Sequence, residues 1–297
     1  MNIKFWGVRG SIPTPSTPNF STSRYGGNTT CVSVHAPGIL AIIDGGSGLR
    51  ALGMWLNNDE PIHGTFFFSH LHWDHIQGFP FFRPGFIAGN SFDMYGPKLC
   101  VQPGASPVSV SLLEEGLISQ QQHYNFPVAF RQMPAKLNIA DLEVGQSVEL
   151  IGTESTIRVS CGALNHPGGC FGYRIEERRK DSVKAFVFAT DTEHANEICP
   201  NLQALSRNAD ILLYDGQYTL DEYEGRAGPP KKGWGHSTYL HGIREASAAG
   251  VPRLLLTHHD PLRDDWAVAR LENEARREGL LYGLDVAAAY EGMSIDL

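Results

Sequence analysis

Paired cysteines are missing from this chain. Its five cysteines, Cys31, Cys100, Cys161, Cys170 and Cys199, are odd in number, and none sits in a Cys-x-x-Cys spacing. That argues against a disulfide framework and against a structural zinc ribbon. Long apolar runs are missing too, since no segment approaches the ~20 residues that span a bilayer. The opening Met1-Asn2-Ile3-Lys4-Phe5-Trp6-Gly7 lacks the apolar stretch of a secretion signal. The expectation is a soluble, cytoplasmic protein without membrane association. Positive charge is scarce: 24 Lys and Arg face 32 Asp and Glu, a formal net charge of -8. Broad nucleic-acid binding needs a basic face, so there is no strong sign of it here. An anionic substrate stays open, because bound metal ions supply local positive charge. No shift of composition and no short-period repeat divides the 297 residues. Residues 1–297 are therefore expected to form one domain, with a homodimer left open.

What is present concentrates in Ser69-His70-Leu71-His72-Trp73-Asp74-His75. Three histidines and an aspartate within six positions make a poor core and a good metal site. The motif follows Thr65-Phe66-Phe67-Phe68, which reads as a buried strand. Strand periodicity places His70 and His72 on one side of the chain. Asp74 and His75 fall where the chain turns, so they can face a second point nearby. Imidazole with carboxylate suits zinc, with manganese or iron as alternatives.

The rest of the chain repeats one pattern. Apolar strands ending near Ile43, Phe68, Leu164, Ala189, Tyr214 and Leu256 run into Asp44, His70, His166, Asp191, Asp215 and His258. Open sheets gather ligands at the carboxyl ends of their strands. Further strands are expected at residues 2–6, 29–35, 91–95, 128–133 and 147–151. Helices are expected at 49–56, 109–122, 238–249 and 264–278. The four phenylalanines of residues 79–86 read as a packed loop, with a pocket wall as the alternative. Asp221 to Gly235, rich in Gly and Pro, reads as a mobile loop running into His236, able to gate a site. Of the adjacent His258 and His259, only one can face the metal side, and His258 is preferred because it directly follows the strand. Arg9, in the first Gly-rich loop, reads as a surface arginine or a phosphate contact.

These residues carry a resemblance. The chain resembles the metallo-β-lactamase-fold hydrolases, and within them the phosphodiesterase branch that includes ribonuclease Z and bacterial cyclic-nucleotide phosphodiesterases. His70, His72, Asp74 and His75 match the H-x-H-x-D-H motif. His166, Asp191 and His258 match the single histidine, the bridging aspartate and the last histidine. Asp44 matches the acid that braces the metal-binding loop, and Gly235-His236-Ser237-Thr238 is similar to the catalytic His-Ser-Thr of ribonuclease Z. The resemblance implies a four-layer αββα sandwich. It implies two divalent metal ions, with zinc the first expectation: His70, His72 and His166 would hold one, Asp74, His75 and His258 the other, and Asp191 would bridge. Asp74, His236 and Asp215 are the catalytic candidates, with His236 as general acid oriented by Asp215. The implied activity is hydrolysis of a small phosphodiester, with a cyclic nucleotide first. Ribonuclease Z-like RNA 3′ processing is the alternative, since no basic arm is evident. A glyoxalase- or thioesterase-type hydrolase is a further alternative, which leaves the Gly-His-Ser-Thr segment unexplained. Trp234, Tyr218 and Tyr239 are candidate base-stacking residues.

Overall fold

The computed structural model describes residues 1–57, 59–98, 111–180, 182–193 and 197–297. Alternating and continuous apolar runs form fourteen strands among these residues. The first six are β1 (Asn2–Gly7), β2 (Cys31–Ala36), β3 (Ile39–Ile43), β4 (His63–Phe67), β5 (Ser91–Pro97) and β6 (Lys136–Leu142). The next seven are β7 (Ser147–Ile151), β8 (Thr156–Leu164), β9 (Cys170–Arg179), β10 (Ser182–Ala189), β11 (Ile211–Asp215), β12 (Arg253–Thr257) and β13 (Asp285–Ala288). Strand β14 (Ser294–Asp296) closes the chain. One sheet has the order β14-β1-β2-β3-β4-β5-β6, and the other β13-β12-β11-β10-β9-β8-β7. Both are mixed: β3 to β6 run parallel in the first, and β10 to β13 in the second.

Period-two alternation decides the layers. Phe67 points between the sheets, where its ring lies 5.6 Å from Tyr173. Phe5 meets Phe186 there at 6.5 Å. Phe66 and Phe68 point the other way, stacked 5.6 Å apart. They pack under α1 (Leu49–Trp55) and α3 (Leu112–Gln120) with Leu52, Phe79, Phe82 and Leu117. The short α2 (Trp73–Ile76) lies between those helices in the chain. On the outer face of the second sheet, Leu212, Tyr214 and Leu254 pack under three helices. These are α4 (Pro200–Ser206), α6 (Tyr239–Ala248) and α7 (Asp265–Leu280); the brief α5 (Leu220–Tyr223) precedes α6. Helix, sheet, sheet and helix make the expected αββα sandwich. Among the described residues, no helix is long and apolar enough to cross a membrane.

Several local expectations need correction. Residues 128–133 do not form a strand: Phe130–Gln132 is a 3₁₀ turn between Pro127 and Pro134. The strand is β6, whose outer residues are polar enough to hide its alternation. Strand β9 escapes the apolar pattern because Glu176, Glu177 and Arg178 occupy it. Glu177 is buried there and accepts from the Met1 amino group at 2.5 Å. The phenylalanines Phe79 and Phe82 are core residues, so the packed-loop reading of that stretch holds for them, while Phe81 is exposed. The helix expected at 109–122 begins at Leu112; Ser109 and Val110 lie outside the described residues.

Candidate metal centre

The ends of strands from both sheets deliver the site residues to one edge of the sandwich. Asp44 follows β3, His70 lies just past β4, His166 past β8, Asp191 past β10 and His258 past β12, while Asp215 ends β11. Asp44, Asp191 and His258 have φ of 60°, 57° and 59°. A residue with a Cβ in this left-handed region costs of order 1–3 kcal/mol. All three lie where the chain must leave a strand abruptly and hand its side chain to the cluster. His70 and His72 are not in strand, contrary to the expected periodicity, yet their rings come within 4.5 Å. His72 precedes α2, and that single turn buries Asp74 and His75 while leaving Trp73 exposed.

Ligand atoms of His70, His72 and His166 converge, as do those of Asp74, His75 and His258. Asp191 lies between the two triads. Its Oδ1 is 3.9 Å from His70 Nε2, 3.8 Å from His166 Nε2 and 3.3 Å from His258 Nε2, and its Oδ2 is 3.2 Å from His75 Nε2. Outer contacts choose which nitrogen of each ring faces inward. His75 Nδ1 donates to Asp44 Oδ2 at 2.7 Å, His166 Nδ1 to the Gly235 carbonyl at 2.9 Å, and His258 Nδ1 to Gln217 Oε1 at 2.9 Å. His70 Nδ1 meets Ser69 Oγ at 3.0 Å, and that hydroxyl donates to Asp44. Four Nε2 lone pairs therefore point into one volume. Asp74 Oδ2 also accepts from the Ser11 amide at 2.7 Å.

The residues fit divalent metal ions. His70 Nε2 and His75 Nε2 are buried without a hydrogen-bond partner, and orphaned polar atoms of this kind call for an explanation. Burial holds His70, His72 and His166 below the usual histidine pKa, which favours the neutral imidazole that metal ligation requires. Burial would also lower His258, but Asp191 and Asp74 outweigh it and raise the ring to about 9. The buried carboxylates draw positive charge to this position, and a cation supplies it.

Beside the cluster, His236 Nδ1 bonds Asp215 Oδ2 at 2.8 Å, and its ring stacks 4.8 Å from His258. Ligand atoms of Asp215, His236, Asp191 and His258 also group closely. Asp215 is already committed, however: it accepts from the amides of Asp191, Gln217 and Ser237 as well. A cleft of about 400 Å³ opens over His72, Asp74, Asp191, His236 and His258, with Ser11, Leu71 and Trp73 completing its lining.

His259 turns away from the cluster to the Ala289 carbonyl at 2.9 Å, and burial lowers it to about 3. Arg9 makes no phosphate site. It is buried and donates to the carbonyls of Gly26, Asp260 and Arg263. Tyr239 packs against the helical core rather than beside His236. Tyr218 lies 6.0 Å from His236 but is buried, whereas Trp234 is exposed. The loop expected to be mobile includes most of α5 and is tied to Glu193 through Tyr223, Gly233 and Gly235. Ser11, Ser69, Trp73, Glu193 and Gln217 were not singled out from sequence. Only Ser69 and Trp73, inside the histidine motif, and Glu193 and Gln217, each two residues past a strand-end aspartate, carried a positional signal.

Residues 42–259 match the family model described as "Beta-lactamase superfamily domain". A ribonuclease Z of Lactiplantibacillus plantarum is 25% identical over 235 residues, 65% of this chain and 68% of that one. The metallo-β-lactamase fold protein YhfI from Bacillus subtilis superposes with a TM-score of 0.66 at 16% identity, covering 99% of this chain and 98% of that one. A diphosphatase of the PhnP family gives the same TM-score and identity, over 100% and 97%. With the αββα sandwich and the cluster of histidine and aspartate at its edge, the chain belongs to the beta-lactamase superfamily and is a metal-dependent hydrolase of that fold.

Proposed function

We propose that this protein hydrolyses a small phosphodiester, with a cyclic nucleotide as the first substrate class. The observation that carries the reading is a His236–Asp215 pair beside a double imidazole–carboxylate cluster in one cleft. His70, His72 and His166 would hold one ion and Asp74, His75 and His258 a second, with Asp191 shared. Zinc suits these donors best, and manganese or iron also fits them. Bound divalent ions supply Lewis acidity, which acidifies water and neutralises charge on phosphate oxygens. Two such ions against Asp74 and Asp191 leave a net positive site, which favours an anionic phosphate. His236 holds a proton at Nε2 for the departing alkoxide, and Asp215 keeps its Nδ1 side occupied. The curated relatives named ribonuclease Z favour RNA 3′ processing as the second reading.

One assay separates these readings. With zinc or manganese present, the protein is given bis-(p-nitrophenyl) phosphate, cyclic nucleotides, a thioester and a precursor tRNA. Turnover of the cyclic nucleotides ahead of the precursor tRNA supports the proposal. Preference for the tRNA transfers it to the second reading, and thioester turnover alone sinks both. Elemental analysis of protein purified without chelator is expected to approach two ions per chain; one ion that added metal cannot double would rule out the dinuclear arrangement. His258→Ala is expected to lose metal and activity together. His259→Ala, which loses the bond to the Ala289 carbonyl and the ring contact with Tyr25, is expected to keep metal and to lower Tm; the reverse order would move the ligand to His259.

A further inference from the structure

We propose that Glu193 is a positioning residue that sets His236 and His166 with respect to each other. The inference rests on the reading of His236 as proton donor. Glu193 is buried two positions past Asp191 and does not line the cleft. Its backbone is fastened to Asn165, the neighbour of His166: its amide donates to the Asn165 carbonyl at 2.8 Å, and its carbonyl accepts from Asn165 Nδ2 at 2.8 Å. Its carboxylate reaches the opposite way. Oε1 accepts from Tyr223 Oη at 2.7 Å and from the Gly233 amide at 2.7 Å, and Oε2 accepts from the Gly235 amide at 2.8 Å. Gly235 in turn accepts from His166 Nδ1 through its carbonyl, and the next residue is His236.

One side chain thus ties together the segments that carry His166, Asp191 and His236. The tie matters because the segment before His236 is rich in Gly and Pro and costly to order. No side chain at Gly235 could hold it instead. That residue sits at φ +86°, and a Cβ there would lie 2.2 Å from His166 Nδ1. The carboxylate performs this role by accepting from two backbone amides that flank Trp234, which anchors the backbone just before His236, whose Nδ1 meets Asp215. An amide side chain of the same shape would present a donor to one of those amides.

The test is a double-variant cycle of Glu193→Gln and His236→Ala, read on a cyclic nucleotide and on bis-(p-nitrophenyl) phosphate. Misplacement of a catalytic group by an ångström can cost about 100-fold. Glu193→Gln is accordingly expected to lower kcat on the cyclic nucleotide by about 10–100-fold, with KM within about threefold. On the nitrophenyl diester, whose leaving group needs no proton, the loss is expected to stay within about threefold. In the His236→Ala background, Glu193→Gln is expected to add less than about threefold on the cyclic nucleotide, because residues acting as one unit are not additive. The same factor in both backgrounds, or no loss in the parent, overturns the proposal. His236→Ala alone reports on the proton-donor reading, so failure of that reading is seen separately. If Glu193→Gln does not fold, Tyr223→Phe, which removes one donor to the carboxylate, is run through the same cycle. It is expected to show the same substrate split at smaller size, and an equal loss on both substrates overturns the proposal.

Discussion

Asp191→Ala is expected to lower kcat/KM on every diester by on the order of 10⁴-fold or more, the scale seen when one member of a concerted catalytic unit is removed. The reason is its place. Asp191 is buried between the two triads, and its oxygens face four imidazole nitrogens. Burial would raise its pKa, but His258 and His75 hold it well below the usual carboxylate range, so it is a fixed negative charge. Losing it removes an inward-facing oxygen from both triads and leaves Asp74, beside His75 and His258, as the remaining carboxylate among the four nitrogens. Metal content is expected to fall with activity, and elemental analysis of the variant checks this. Two ions per chain with activity within tenfold of the parent would show that the ions do not depend on Asp191.

His236→Ala is expected to split by leaving group. A ribose alkoxide is strongly basic and leaves as the alcohol only with a proton, whereas p-nitrophenolate leaves unaided. General-acid help is worth about 10²–10⁴-fold. The variant is expected to lose a factor of that size on a cyclic nucleotide and far less on bis-(p-nitrophenyl) phosphate, with metal content unchanged. Asp215→Asn is expected to move the same way by less. It keeps the place beside His236 but offers that ring and three backbone amides a neutral partner. The measurement is kcat/KM on both substrates for each variant beside the parent. Equal losses on both, with the metals retained, would assign His236 to binding or structure.

The amino-acid order alone brought forward the candidate donors that the fold gathers. An imidazole and carboxylate motif behind an apolar strand, and aspartates or histidines at further strand ends, are local patterns that need no tertiary information. The same local reading failed where polar residues interrupt strands. Glu177 interrupts β9, and its partners are Ser155, Arg179 and the Met1 nitrogen, the last 176 positions away. Residues 128–133 have the composition of a strand, but the prolines on either side leave room only for a turn.

The tertiary structure decided everything that depends on which atom faces which. His258 and His259 are equivalent as letters; the chain sends one to Asp74, 184 positions away, and the other to the Ala289 carbonyl. Arg9, readable as a phosphate contact, is buried and turned by its Nε and Nη1 to the carbonyls of Gly26, Asp260 and Arg263. Ser11, Gln217 and Glu193 gain their roles from partners 63, 41 and 42 positions away. Periodicity encodes which face a residue takes within its own element. It does not encode contacts between elements, because those are set by how the two sheets stack and where each strand stops.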